Sequence, residues 1–181
     1  GSRRPRAWKR QTCMRELLVA LRESIAAGRP VVVCRLLATR GSTPQKPGAN
    51  MLVFADGSQA GTLGGGCVEA DVRRHALAAL AAEAPCIASF QLDDDYGWDD
   101  GLICGGRMQV LVDPLTATPA ARSASEYYQQ VCRLVESGGG GTEVIVLDAA
   151  AGLAPGGMLL FDAGGQPVAA ARLEPAAAEL P

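Results

Sequence analysis

Val31-Val-Val-Cys-Arg-Leu-Leu-Ala-Thr39 runs into Gly41-Ser-Thr-Pro-Gln-Lys-Pro-Gly48, and after a short apolar run the chain reads Gly61-Thr-Leu-Gly-Gly-Gly-Cys-Val-Glu69. The first stretch is β-branched and apolar on both faces, as expected of a buried strand. Pro44 and Pro47 cannot donate to a ladder, so 41–48 is read as a loop leaving that strand. Met51 to Ala55, an Asp56-Gly57 turn and Gln59 to Leu63 predict a β-hairpin whose second strand feeds the triple glycine. From Val68 to Ala82 the spacing of Val68, Val72, Ala76 and Leu80 is helical, and Pro85 lies just past the stop. Cys67 therefore sits at a helix N-terminus. Gly64, Gly65 and Gly66 let the backbone approach a ligand closely, and the helix dipole favours an anion in the same place. A thiol there ionises more readily than one in an apolar core.

Working outward, Leu17, Leu18, Leu21 and Ile25 give a first amphipathic helix over Thr12 to Ala27, stopped by Gly28 and Pro30. Ile87 to Leu92 and Met108 to Val112 read as strands joined by a loop carrying Asp93, Asp94, Asp95, Tyr96, Trp98, Asp99, Asp100 and Gly101-Leu-Ile-Cys-Gly-Gly106. Pro114 to Ser123 is linker-like, and Ala124 to Glu136 is helical. Glu143 to Leu147, Met158 to Phe161 and Pro167 to Ala171 are short apolar runs between Gly-rich turns. The expected class is α/β (α+β): a mixed sheet with flanking helices plus a small C-terminal antiparallel sheet. Four parts are expected: a tag scar and flexible basic arm at 1–11, a core with the glycine-cysteine loops at 12–115, a helix and small sheet packed on it at 116–173, and a linker-like tail at 174–181. Helix then strand occurs at both 12–39 and 125–147, each followed by a hairpin, a weak internal echo.

The 181 residues are 48% apolar and 20% charged with a net charge of −2, a balance that signals neither disorder nor a strongly anionic partner. Arg3, Arg4, Arg6, Lys9, Arg10 and Arg15 crowd the start; the favoured reading is a solvated, frayed terminus rather than a nucleic-acid arm. Aromatics make up 4%, too few for base-stacking platforms. No run reaches the ~18 apolar residues of a membrane span and none reads as a signal peptide, so a cytoplasmic protein is expected. Cys13, Cys34, Cys67, Cys86, Cys104 and Cys132 contain no Cys-x-x-Cys and stand beside a single histidine, a poor zinc pattern and a poor disulfide framework. Several are expected to be buried as small hydrophobes.

The run 61–67 lacks the dinucleotide fingerprint Gly-x-Gly-x-x-Gly, so no Rossmann unit is expected. A structural cysteine at a glycine-rich hairpin exit is the bland alternative. Cys104-Gly-Gly106 shifts the balance, because two loops then place a thiol beside glycines, and thiolates suit soft metals or sulfur. The five aspartates lack EF-hand spacing and read as a solvated loop, with Tyr96 and Trp98 as packing anchors. Lys46 is held between two prolines near Ser42, Thr43 and Arg40, where it could receive a phosphate oxygen. His75 has no second histidine to complete a site.

Gly41 to Gly57, Gly61-Thr-Leu-Gly-Gly-Gly-Cys-Val-Glu-Ala70 and Gly101-Leu-Ile-Cys-Gly-Gly106 together resemble the XdhC/CoxI family of xanthine dehydrogenase accessory proteins. The resemblance is strong over Val31 to Leu115. It implies a maturation factor rather than an enzyme: a chaperone that binds the molybdenum cofactor as cargo while a sulfido ligand is installed, then delivers it to a molybdenum hydroxylase such as xanthine dehydrogenase. It also implies a cysteine desulfurase as partner and a homodimer. Cys67 carries over as the first contact for cofactor or molybdenum, with Gly64, Gly65 and Gly66 around it, and Cys104 ranks second. Ser42 and Lys46 are assigned to the pterin or its phosphate by inference. Many family members continue into a C-terminal Rossmann domain that this sequence lacks, so it is either part of a longer chain or a short member. Two other readings stay open, a sulfur transferase carrying a persulfide on Cys67 and a ligand-free scaffold.

Overall fold

The computed structural model describes residues 13–92, 106–149 and 153–173. The chain runs α1 (Met14–Ala26), β1 (Val31–Arg40), β2 (Asn50–Phe54), β3 (Gln59–Gly61), α2 (Gly66–Ala82), β4 (Cys86–Leu92), β5 (Gly106–Leu115), α3 (Arg122–Ser137), β6 (Gly141–Ile145), β7 (Met158–Asp162) and β8 (Pro167–Ala171). Strands β1 to β5 form one sheet in the order β3-β2-β1-β5-β4, and β6-β7-β8 form a second. The class is the expected α+β, including the small C-terminal antiparallel sheet. In the larger sheet, expected to be mixed, every pairing among the described strands is antiparallel.

β1 is apolar on both faces because both faces of the larger sheet are covered. Val32, Cys34 and Leu36 pack with Val110, Val112 and the α2 residues Val68, Val72 and Ala76. Val31 and Val33 face the other way, into a cluster with Leu17 and Leu21 of α1, Leu111 of β5, Tyr127, Tyr128 and Val131 of α3, and Met158 and Leu160 of β7. One strand thus serves two cores, which removes the polar alternation of a one-sided sheet.

The segment from Pro114, expected as linker, is instead strand and helix. Pro114 pairs with Val32 on β1, while the β4 pairing has already ended at Cys86 and Val112. On the β4 side there is no ladder for its missing N–H to break. Pro119–Ala121 then forms a 3-10 turn leading into α3.

The two sheets are joined by two ion pairs. Arg35 of β1 bonds Asn50 Oδ1 through Nε at 2.9 Å and pairs with Glu143 of β6 at 2.5 Å, and the same glutamate accepts from Tyr127 at 2.8 Å. Arg172, just past β8, donates to the fully buried Asp113 of β5 at 2.8 Å and to the Pro114 carbonyl at 3.1 Å. Removing Glu143 would leave the largely buried Arg35 without its partner, and removing Arg172 would do the same to Asp113. The weak sequence echo reappears as topology, since α1 with β1-β2-β3 and α3 with β6-β7-β8 are each a helix followed by a three-stranded antiparallel meander.

Candidate functional site

Three segments singled out from the sequence meet at one end of the larger sheet. The loop 41–48 leaves β1 and lies between the other two. A Cβ placed on Gly64 would stand 2.3 Å from Pro44 Cγ, and one on Gly106 would stand 2.1 Å from the Ser42 carbonyl oxygen and 2.9 Å from Thr43 Cγ2. Neither gap admits a side chain, so glycine is what lets the 64–66 turn and the start of β5 close against this loop. Gly64 also holds φ at +124°, a conformation L side chains rarely adopt.

The loop itself is tied to the sheet. Gly48 N donates to the Leu36 carbonyl at 2.8 Å and Leu36 N to the Ala49 carbonyl at 2.9 Å, where the β1 register shifts between Leu36 and Ala38. Thr43 Oγ1 donates to the Gln45 carbonyl at 2.9 Å. The backbone of 41–48 is therefore anchored at its far end and braced at Pro44 and Ser42.

α2 begins at Gly66, two residues earlier than its apolar spacing predicts, which makes Cys67 the second helical residue. Its N-cap, Gly65, has no side chain to satisfy the first amides. Glu69 does this instead. Its buried carboxylate accepts from Gly65 N at 2.9 Å, Leu63 N at 3.1 Å, Gln59 Nε2 at 2.8 Å and the Thr62 hydroxyl, which in turn accepts from Gly64 N at 3.1 Å. Burial pushes the Glu69 carboxyl up, but the bonds from Thr62, Gln59, Gly65 and Leu63 outweigh it and hold the group below the ordinary carboxylate value. The carboxylate thus fixes the glycine turn from beneath. By helix geometry the amides of Gly66, Cys67 and Val68 have no carbonyl partner within α2, so they are the donors left for an anion at this end.

Glu69 appears in the sequence only as an acidic residue in the first helical turn, and its role there was not legible. Its partners lie on β3 and in the turn, four to ten residues back. The available signal was a glycine N-cap followed by an acid in the first turn, a combination that invites the acid to reach back.

Ser42 is exposed and its backbone packs on Gly106; Lys46 is exposed on the same loop. Cys104, the aspartates 93–95 and 99–100, Tyr96 and Trp98 lie outside the described residues, so only Gly106 represents the Cys-Gly-Gly motif here. His75 Nδ1 bonds the Asp71 carbonyl at 2.9 Å and its ring stands edge-on to Phe90 at 5.3 Å, a packing role. Among the described residues no three His, Cys, Asp or Glu side chains cluster as a metal site, and no helix is long and apolar enough to cross a membrane.

The Cys67 side chain lies outside what the structure describes, and the described thiols differ sharply in environment. Cys34 and Cys132 are buried, while Cys13 and Cys86 are exposed. Burial, with the negative charge of Glu136 adding to it, pushes Cys132 up to about 11, and burial followed by Cys86 and Asp113 raises Cys34 further. Iodoacetamide at neutral pH is therefore expected to label Cys13 at least about a hundredfold faster than Cys34 or Cys132, which should react only on unfolding. Peptide mass spectrometry reads this directly, and labelling of Cys34 at the Cys13 rate would contradict the packing.

Comparison with known proteins places this geometry. Residues 24–91, which carry β1, the 41–48 loop, the glycine turn and α2, match the XdhC and CoxI family. The chain is 39% identical over 83 residues to the Escherichia coli (strain K12) protein YqeB, covering 46% of this chain and 15% of that one. It is 30% identical over 119 residues to a probable xanthine dehydrogenase subunit of Bacillus subtilis (strain 168), covering 65% of this chain and 34% of the relative. The fold is similar to that of a solved structure of a xanthine dehydrogenase from Bacillus halodurans, with a TM-score of 0.66 at 24% identity over 85% of this chain and 45% of that one. The chain thus spans less than half the length of each of these relatives. The match to the XdhC and CoxI family thus lies in the segment that carries the 41–48 loop, the glycine turn and Cys67.

Proposed function

We propose that this chain is the cofactor-holding part of a xanthine dehydrogenase accessory protein, a maturation factor that keeps the molybdenum cofactor during sulfuration and passes it to a molybdenum hydroxylase. The observation that carries this reading is the meeting of the 41–48 loop with Gly64 on one side and Gly106 on the other, with Glu69 locking the turn between them. The match of residues 24–91 to the XdhC and CoxI family and the naming of a similar protein as a probable xanthine dehydrogenase subunit support the partner class.

In this reading the cofactor is cargo. The unpaired amides at the start of α2 face its anionic groups, and the Gly64 to Gly66 backbone admits it closely because no Cβ intervenes. Cys67, in the first turn of α2, supplies the thiolate that contacts the metal, and the helix dipole favours that ionised form. Ser42 and Lys46, on the braced loop, hold the pterin or its phosphate, and Cys104 is assigned as the second thiol for the cofactor. The protein contributes binding and protection from water; release follows when the hydroxylase offers a better site. A cysteine desulfurase supplies the sulfur, and the working form is a cytoplasmic homodimer.

Anaerobic titration with isolated molybdenum cofactor, followed by filtration and molybdenum quantification, tests this. Wild type is expected to retain cofactor stoichiometrically, and Cys67→Ala to bind at least about tenfold more weakly, a loss of about 1.4 kcal/mol or more. Cys13→Ala, at an exposed position ahead of α1, should retain it like wild type. Equal retention in all three proteins would remove Cys67 from the site. A stoichiometric persulfide on Cys67 after incubation with a cysteine desulfurase and cysteine, without cofactor retention, would favour a sulfur transferase instead.

A further inference from the structure

Away from the loop cluster, where the end of α1 meets the segment joining β5 to α3, the protein surface forms a cavity of about 290 Å³. The half-buried Ile25 of α1 and the edge of the buried Leu115 of β5 line its apolar side. Arg29, in the turn after α1, and Arg122, the first residue of α3, reach it from two separate elements. Neither arginine side chain has a hydrogen-bond or ion-pair partner among the described residues. Glu126 lines the same cavity one turn beyond Arg122, at the spacing that favours a helical ion pair, yet the two are not paired. Thr116, Thr118, Ser125 and Gln129 complete the polar side.

Two cations against one carboxylate leave the cavity one positive charge in excess, and guanidinium groups bind carboxylates in a planar, two-pronged manner. Its volume lies at the small end of ligand pockets, about 300 Å³, a size that suits a small guest. We propose that this cavity binds a small organic monoanion, a carboxylate with a short apolar arm, its charge held by Arg29 and Arg122 and its arm laid on Ile25 and Leu115. Each part of such a ligand meets its complement, the charge being neutralised and the apolar wall covered. This site is independent of the glycine-cysteine loops, so its occupancy does not rest on cofactor binding.

The test is titration of the ¹⁵N-labelled protein with hexanoate at fixed ionic strength, followed by amide and arginine side-chain shifts. Acetate supplies the anion without the arm, and hexanol the arm without the anion. Saturable shifts centred on Arg29, Leu115 and Arg122 are expected with hexanoate, tighter than with either control. The Arg29→Gln/Arg122→Gln double variant, altered only at exposed side chains, should keep the wild-type spectrum elsewhere and bind at least about tenfold more weakly. Shifts that do not saturate, equal binding by the variant, or hexanol binding as well as hexanoate would each overturn the proposal.

Discussion

Replacing Glu69 by alanine is expected to lower the free energy of unfolding by about 3–5 kcal/mol, measured by urea denaturation. Two backbone amides, Leu63 N and Gly65 N, and two side chains, Thr62 and Gln59, lose their shared acceptor inside the protein. Each donor left buried without a partner costs about 1–3 kcal/mol, and water entering the vacated space recovers part of it. The isosteric Glu69→Gln keeps the volume but turns an amide NH₂ toward donors, so it should recover only part of the loss. A loss under about 1 kcal/mol in Glu69→Ala would mean that the turn holds without its carboxylate.

The same group gives a pH signature. Its folded pKa lies below the unfolded one, so the unfolded state binds more protons between the two values. The stabilisation is complete above the ordinary glutamate value of about 4.3 and is lost as pH falls through the depressed folded value. Wild type should therefore lose stability on acidification over that window more steeply than Glu69→Gln, which carries no titrating group there. Parallel pH profiles for the two proteins would contradict the assigned hydrogen bonds.

Gly106→Ala is the second large effect, with an expected cost of about 3 kcal/mol. The new methyl would stand 2.1 Å from the Ser42 oxygen and 3.0 Å from its carbonyl carbon, and both are backbone atoms that no rotamer change can move aside. The 41–48 loop must lift from β5, and because Pro44 also packs on Gly64, the glycine turn loses its brace. Cofactor retention should fall together with stability. Gly57→Ala serves as the comparison, since its Cβ meets nothing within 4 Å and only its φ of +79° resists, at a cost of about 1 kcal/mol. Similar losses at the two positions would show that Gly106 matters for backbone freedom and not for the close approach of the loop.

The sequence was most legible where a pattern is local. The helical spacing of Leu17, Leu18 and Leu21, the two-sided apolar run from Val31, and the Asp56-Gly57 turn each lie within one element, and the observed bounds differ from the expected ones by a residue or two. The linker expectation at 114–123 failed because Pro114 was judged without its neighbours. Only the register shows that β4 stops at Cys86, opposite Val112, and leaves the proline with no ladder bond to break.

By itself, then, the sequence determined the α+β class, most of the elements and the likeness of residues 24–91 to the XdhC and CoxI family, because periodicity, turn chemistry and ordered motifs are properties of contiguous residues. What only the tertiary structure decided was the antiparallel order of the larger sheet, the closing of Ser42 on Gly106 and of Pro44 on Gly64, and the part played by Glu69. These depend on distances between residues far apart in the chain, or across a turn whose shape the residues alone leave open. Burial then turns such a distance into energy, because a carboxylate out of water must find its donors and a backbone packed on glycine admits no methyl group.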